Sequence, residues 1–183
     1  GAVSCLGSFG VPELVSGIDG ASTFALDVGM GMTHRCAVLD DGGVRCWGAD
    51  YFGQLGDGPD DGGNEAEPTP VVGLGGAGPH AVAVAGGTSE FSCALLASGQ
   101  VTCWGRNVAG QLGIGGNAAA HQATATSPTT VDPGVVVSQV SAGQRGACAT
   151  LDTGAVYCWG DDQNGRVGDG TQGGGNVTAP SMV

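Results

Sequence analysis

The chain of 183 residues contains no lysine; its five basic residues are all arginines, set against seventeen acids for a net charge of −12. So few cations make duplex nucleic acid a poor partner, because affinity for a phosphate backbone comes mainly from lysine and arginine. Anionic membrane surfaces are disfavoured for the same reason, and the acidity itself is read as a solubility device. Long apolar runs are missing too. No stretch approaches the ~20 residues a membrane-spanning helix needs, and no charged-then-apolar leader is present, so membrane insertion is not expected. The chain opens at Gly1 in mid-pattern, as a processed product or a segment of something longer would. Helix signals are weak, since 38 glycines interrupt nearly every window. H-E-x-x-H, G-x-S-x-G and C-x-x-C are all absent, and His34, His80 and His121 share no ligand spacing. Incidental or packing roles are expected for these histidines, with no catalytic residue and no cofactor.

What is present is a repeat. Cys36 to Gly56, Cys93 to Gly113 and Cys148 to Gly168 align without a gap. Each copy carries two cysteines ten positions apart, Trp-Gly directly after the second, and a Gly-[Gln/Arg]-[Leu/Val]-Gly tail. Trp47, Trp104 and Trp159 are the only tryptophans. A period of 57 and then 55 residues (Cys36 to Cys93, Cys93 to Cys148) sets the architecture before any local feature does. Within each copy two short apolar segments flank a three-residue loop ending in Gly42, Gly99 or Gly154. That is the pattern of a β-hairpin whose type I turn is followed by a left-handed residue. The register of such a hairpin places Cys36 opposite Cys46, Cys93 opposite Cys103 and Cys148 opposite Cys158. Opposed residues lie close enough for a bridge. Three intra-hairpin disulfides are therefore expected, each stabilising by roughly 2.5–3 kcal/mol in the chain-entropy account. Zinc is the competing reading, but its sites use closely spaced cysteine pairs, which this chain lacks. Cys5 is left over, unpaired or bonded to another molecule. Paired cysteines point to a secreted, periplasmic or cell-surface location.

Gly1 to Gly7 matches Gly154 to Gly160, so the chain opens on a partial repeat. A P-x-x-V element begins at Pro12, Pro68, Pro128 and Pro180, and a further apolar segment precedes each hairpin. Each repeat thus offers about four short strands. The expected division is a partial repeat at 1–15, then repeats at 16–72, 73–131 and 132–183, within one repeat domain. Asp57 to Glu67, Ile114 to Ser127 and Asp169 to Ala179 are polar and Gly-rich and read as surface loops.

The pattern Cys-Ala-Leu-x3-Gly-x-Val-x-Cys-Trp-Gly-x-Asn-x2-Gly-Gln-Leu-Gly resembles the regulator-of-chromosome-condensation repeat family, above all its bacterial secreted branch with paired cysteines. The resemblance covers nearly the whole chain. It implies an all-β fold: β-propeller repeats of four-stranded antiparallel blades, about three and a half of them. They would form part of a propeller or an oligomerising arc, since the family ring commonly has seven blades. His34, two residues before Cys36, stands where the family often places a histidine. The partial repeat at 1–15 lacks the Gly-Gln-Leu-Gly tail.

Other motifs carry less. Gly73 to Gly78 fits G-x-G-x-x-G, but Pro79 and an apolar β-like segment follow where a dinucleotide site needs a helix. Asp57, Asp60, Asp61, Asn64 and Glu65 cluster in one loop and could offer calcium its oxygens. Their spacing matches no EF-hand, so a solvated loop is the reading and no metal is expected. Asn176-Val177-Thr178 is a glycosylation sequon by pattern. The three tryptophans with Leu55, Leu112 and Val167 are read as packing between repeats, and Gln54, Gln111 and Arg166 as hydrogen-bonding a neighbouring turn. Tyr51 and Phe52 are the best aromatic anchors for a partner.

Three functions fit. The first is a non-enzymatic extracytoplasmic module for protein interaction or structure. The second is a secreted enzyme inhibitor using the propeller face, since the resemblance extends to a branch that blocks β-lactamases. The third is a self-assembling filament or ring subunit, because unclosed repeats expose strand edges that recruit other strands.

Overall fold

The computed structural model describes residues 2–6, 12–58, 62–116, 121–128, 134–171 and 173–183. Three four-stranded antiparallel sheets follow one another along the chain. The first holds β3 (Ala25–Met30), β4 (His34–Leu39), β5 (Val44–Ala49) and β6 (Asn64–Pro70). The second holds β7 (Ala81–Gly87), β8 (Phe91–Leu96), β9 (Val101–Gly105) and β10 (Gln122–Thr126). The third holds β11 (Val137–Ala142), β12 (Gly146–Leu151), β13 (Val156–Asp161) and β14 (Asn176–Met182). Before them β1 (Ser4–Leu6) pairs with β2 (Pro12–Leu14). The described residues contain no helix.

The central hairpin of each sheet is fixed by its loop. Gly42, Gly99 and Gly154 have φ of 76°, 78° and 88°. Their amides close a turn onto Leu39, Leu96 and Leu151, whose own amides bond to Gly43, Gln100 and Ala155. A left-handed third residue costs glycine nothing, and this loop pins the register. Cys36 faces Cys46, Cys93 faces Cys103 and Cys148 faces Cys158. Each pair is joined by a disulfide, and Cys5 is a free thiol.

The core lies between sheets, because alternate residues of a strand face opposite sides. On β8, Ala94 and Leu96 pack toward the first blade while Cys93 and Leu95 pack toward the third. Cys36, Val38, Leu55, Val84 and Trp104 fill the first junction; Phe91, Leu112, Val140, Leu151 and Trp159 fill the second. A smaller cluster of Val3, Ile18, Ala37 and Leu39, with Trp47 and Cys5 against it, joins β1 and β2 to the first blade. Inner strands stack in turn: β7 touches β3 and β4, and β11 touches β7 and β8.

The outer strands correct the loop boundaries read from sequence. Asn64 to Glu67, Gln122 to Thr126 and Asn176 to Ala179 were expected in loops and are strand. Each pairs with only one neighbour at the edge of its sheet. Backbone bonding to the third strand holds it there without an alternating apolar pattern. Pro68, Pro70 and Pro180 are tolerated for the same reason, since an edge strand has no inner ladder to break.

Candidate functional site

Every blade presents the same two ends. One carries the hairpin loops, with Asp40, Asp41 and Asp152 exposed. The other carries the short first turn of each blade and the described residues of its long loop between third and fourth strands, at 50–58, 62–63, 106–116, 121, 162–171 and 173–175. This second rim varies most between repeats, while the residues beneath it repeat closely.

What holds the rim is a three-part lock. Asp50, Asn107 and Asp162 stand three residues after each Trp, nearly buried, and each Oδ1 accepts the amide of the residue five on: Leu55, Leu112 and Val167, at 2.8, 3.0 and 3.0 Å. Gln54 and Gln111 are fully buried, and their Oε1 atoms accept the amides of Phe52 and Ala109. Their side chains therefore serve their own turn, which corrects the expectation of a neighbouring one. The bond between blades runs instead through the backbone: the indole of Trp104 donates to the Gln54 carbonyl at 2.9 Å, and that of Trp159 to the Gln111 carbonyl at 2.8 Å. Gly56 sits beneath Trp104 so closely that a Cβ would come within 2.8 Å of the indole. Sequence reasoning missed the Asp/Asn column, although its signal was visible: one acceptor side chain at the same place in all three copies.

The other packing residues are placed unequally. Leu55 and Leu112 are buried with Trp104 and Trp159. Trp47 is half-buried. Val167 borders a cavity of about 370 Å³ on the open side of the third blade, with Cys148, Arg145, Asp161 and Arg166.

Charge on the rim is organised in pairs. Arg106 bonds Glu90 at 3.1 Å and lies 4.6 Å over the Phe52 ring. At the same two positions of the third blade the signs are exchanged: Arg145 approaches Asp161 at 3.7 Å, and Arg166 reaches it at 3.3 Å. Phe52 is thus already covered by an arginine from the next blade, while Tyr51 is 57% exposed. Of the acidic loop, Asp60 and Asp61 lie outside the described residues; Asp57 and Glu65 are half-buried. Among the described residues no group of three or more His, Cys, Asp or Glu could hold a metal. The Asn176 amide donates to the Val108 carbonyl across the second junction. Gly73 to Gly78 forms turns leading into β7.

His34 is buried in the first junction, its Nε2 2.7 Å from the Ser92 hydroxyl. Burial, and then the neighbouring Arg35 charge, push its pKa down to about 4. It is a neutral packing group that joins two blades. His80 and His121 are exposed, remote from it.

Two family models, both described as the regulator of chromosome condensation (RCC1) repeat, match the chain, one at residues 27–54, 81–111 and 137–166, the other at 41–95 and 98–150. Human E3 ubiquitin-protein ligase HERC2 is 31% identical over 162 residues, which is 87% of this chain and 3% of that protein. Protein pim1 of Schizosaccharomyces pombe is 32% identical over 170 residues, 86% of this chain and 31% of pim1. Among solved structures, yeast RCC1 (Prp20) bound to Kap60 superposes with a TM-score of 0.76 at 21% identity, covering 94% of this chain and 38% of that one. Human WBSCR16 superposes at 0.77 and 23% identity, covering 95% and 43%. The chain spans less than half the length of each.

Proposed function

Because the chain belongs to the regulator of chromosome condensation (RCC1) repeat family, we propose that it is a non-enzymatic protein-interaction module working outside the cytoplasm. The carrying observation is the contrast between a repeated frame and a varied rim. Disulfides, buried Asx locks and Trp stitches recur from blade to blade, whereas the loops they hold differ in residues and charge order. A rigid scaffold with variable loops is how many folds present a binding surface. The three bridges support an oxidising compartment, since such bonds rarely persist in the cytosol. Yeast Prp20, on the same fold, is the partner of Kap60 in one structure and is described with binding to Gsp1p and histones in another. The net charge of −12 argues against a nucleic-acid partner here. The partner proposed is a protein met outside the cytoplasm, contacting exposed Tyr51 and the arginine-bearing loops of the rim.

The test exports the chain and measures its binding to purified secreted-protein fractions. Tyr51→Ala and Arg166→Ala should weaken the recovered complex, and Asp152→Ala on the opposite end should not. Binding indifferent to the rim variants would overturn the reading. Inhibition of a β-lactamase by the chain would move it to the secreted-inhibitor alternative.

A further inference from the structure

The two junctions between complete blades share one plan but differ in what can take up a proton. On the second blade, β7, β8 and β9 hold no titratable side chain beyond the bridged Cys93 and Cys103. Against them the first blade sets two that titrate, Asp27 on β3 and His34 on β4. The Asp27 carboxylate accepts the Val84 amide at 2.9 Å, and His34 Nε2 lies 2.7 Å from the Ser92 hydroxyl. At the second junction register puts Ala83 and Phe91 in those two places. The strands facing them, β11 and β12, offer nothing that titrates beyond the bridged Cys148.

His34 is enclosed on every side. The turn after β3 brings Gly31 against its ring, Gly86 of β7 packs on Gly31, and Gly48 of β5 stands opposite in register. None of these titrates. Its Nδ1 is buried without a hydrogen-bond partner. The charged group whose field it feels is Arg35, on its own strand, and among the described residues no carboxylate is paired with it. The Phe91 carbonyl favours the charged form but is outweighed by burial and the Arg35 charge, which hold the pKa at about 4. Two further titratable groups stand at the ends of this junction. Glu90 keeps its pair Arg106 within the second blade, and His80 is exposed against Gly42, beside Asp40 and Asp41. Neither needs the blades to part in order to take up a proton.

We infer that the first junction is an acid-operated hinge: on acidification the first and second blades part there, while the second and third stay packed. A proton on His34 makes a buried cation beside the Arg35 guanidinium, which only water can solvate. Parting the blades admits that water. The closed junction therefore binds the proton less readily than the open one, and acid favours opening. A proton on Asp27 removes the charge that strengthens its bond to the Val84 amide, which loosens the same junction. Ala83 and Phe91 respond to neither change. Arg106 over Phe52 spans the first junction at the rim, so opening takes apart the surface proposed for a partner. That consequence rests on the rim reading above; the hinge does not.

The two sealed tryptophans report the junctions separately. Trp104 donates to the Gln54 carbonyl across the first, and Trp159 to the Gln111 carbonyl across the second. The experiment follows hydrogen exchange of both indole N–H groups by NMR, in the oxidised chain of residues 1–183, from about pH 7 to about pH 5. It needs no partner, so its outcome is independent of the rim reading. Intrinsic exchange is common to the two indoles and cancels in the ratio of their rates. The ratio of Trp104 to Trp159 should rise about twentyfold, the figure for a histidine with the ordinary value of about 6.5 when open and about 4 when closed. His34→Phe should remove most of the rise, and adding Asp27→Asn should remove the rest. A flat ratio, Trp159 losing protection ahead of Trp104, or a rise that survives the double variant would each overturn the inference. If a variant does not fold, the ratio in the unsubstituted chain decides.

Discussion

Replacing Trp104 by Phe and, separately, Trp47 by Phe should give two very different results, although the sequence makes these residues equivalent. Trp104 is fully buried, and its indole is the donor to the Gln54 carbonyl. Phenylalanine removes that donor and leaves a carbonyl enclosed without a partner, at a cost of about 1–3 kcal/mol. The smaller ring leaves a void over Gly56 worth about another 1 kcal/mol. The sum is roughly 2–4 kcal/mol, or on the order of 4–16 °C in Tm for a chain of this size. Trp47 loses no hydrogen bond and is only half-buried, so its substitution should cost less than that of Trp104, under about 1 kcal/mol. Urea and thermal unfolding of the oxidised protein, followed by far-UV circular dichroism, provide the measurement. A repeat array can unfold in steps, in which case the step that opens the first junction is the one compared. Equal costs at the two positions would refute the stitch as the source of junction stability.

Two further outcomes follow from the same junctions. The folded-state pKa of His34 lies below its ordinary value, so the unfolded chain binds the proton more readily: stability is full above about pH 6.5 and falls toward about pH 4, by about 3 kcal/mol in all. His34→Phe, which copies Phe91 at the same repeat position, should flatten the acid limb of a stability-versus-pH series; an unchanged limb would contradict the assignment. Cys36–Cys46 and Cys93–Cys103 are covered by the next blade, whereas Cys148 is half-buried beside an open cavity. A water-soluble phosphine should therefore reduce Cys148–Cys158 first, as timed alkylation and mass spectrometry would show; simultaneous loss of all three would count against it.

How much of this was legible depended on where the information sits. The hairpin register follows from a left-handed loop residue and a fixed cysteine spacing, both local, and Gly42, Gly99 and Gly154 announce it. The outer strands were hidden because an edge strand such as Asn64–Pro70 needs a neighbour's backbone more than a pattern of its own. The link between blades was hidden for a similar reason: the Trp104 acceptor is a main-chain carbonyl, which leaves no mark on residue type. The Asp50, Asn107 and Asp162 column was visible, and only the burial of those side chains reveals its purpose. No reading of one repeat could distinguish Trp47 from Trp104, since the difference lies in what packs against them.

The protein is a stack of independently stapled blades with one cysteine set apart at its first junction. Peptide mapping without reduction tests it most directly. Three linked peptide pairs are expected, Cys36 with Cys46, Cys93 with Cys103 and Cys148 with Cys158, together with Cys5 recovered as the alkylated thiol. A bridge joining cysteines of different blades, or free thiols within a hairpin, would contradict the architecture on which the junctions and the rim both depend.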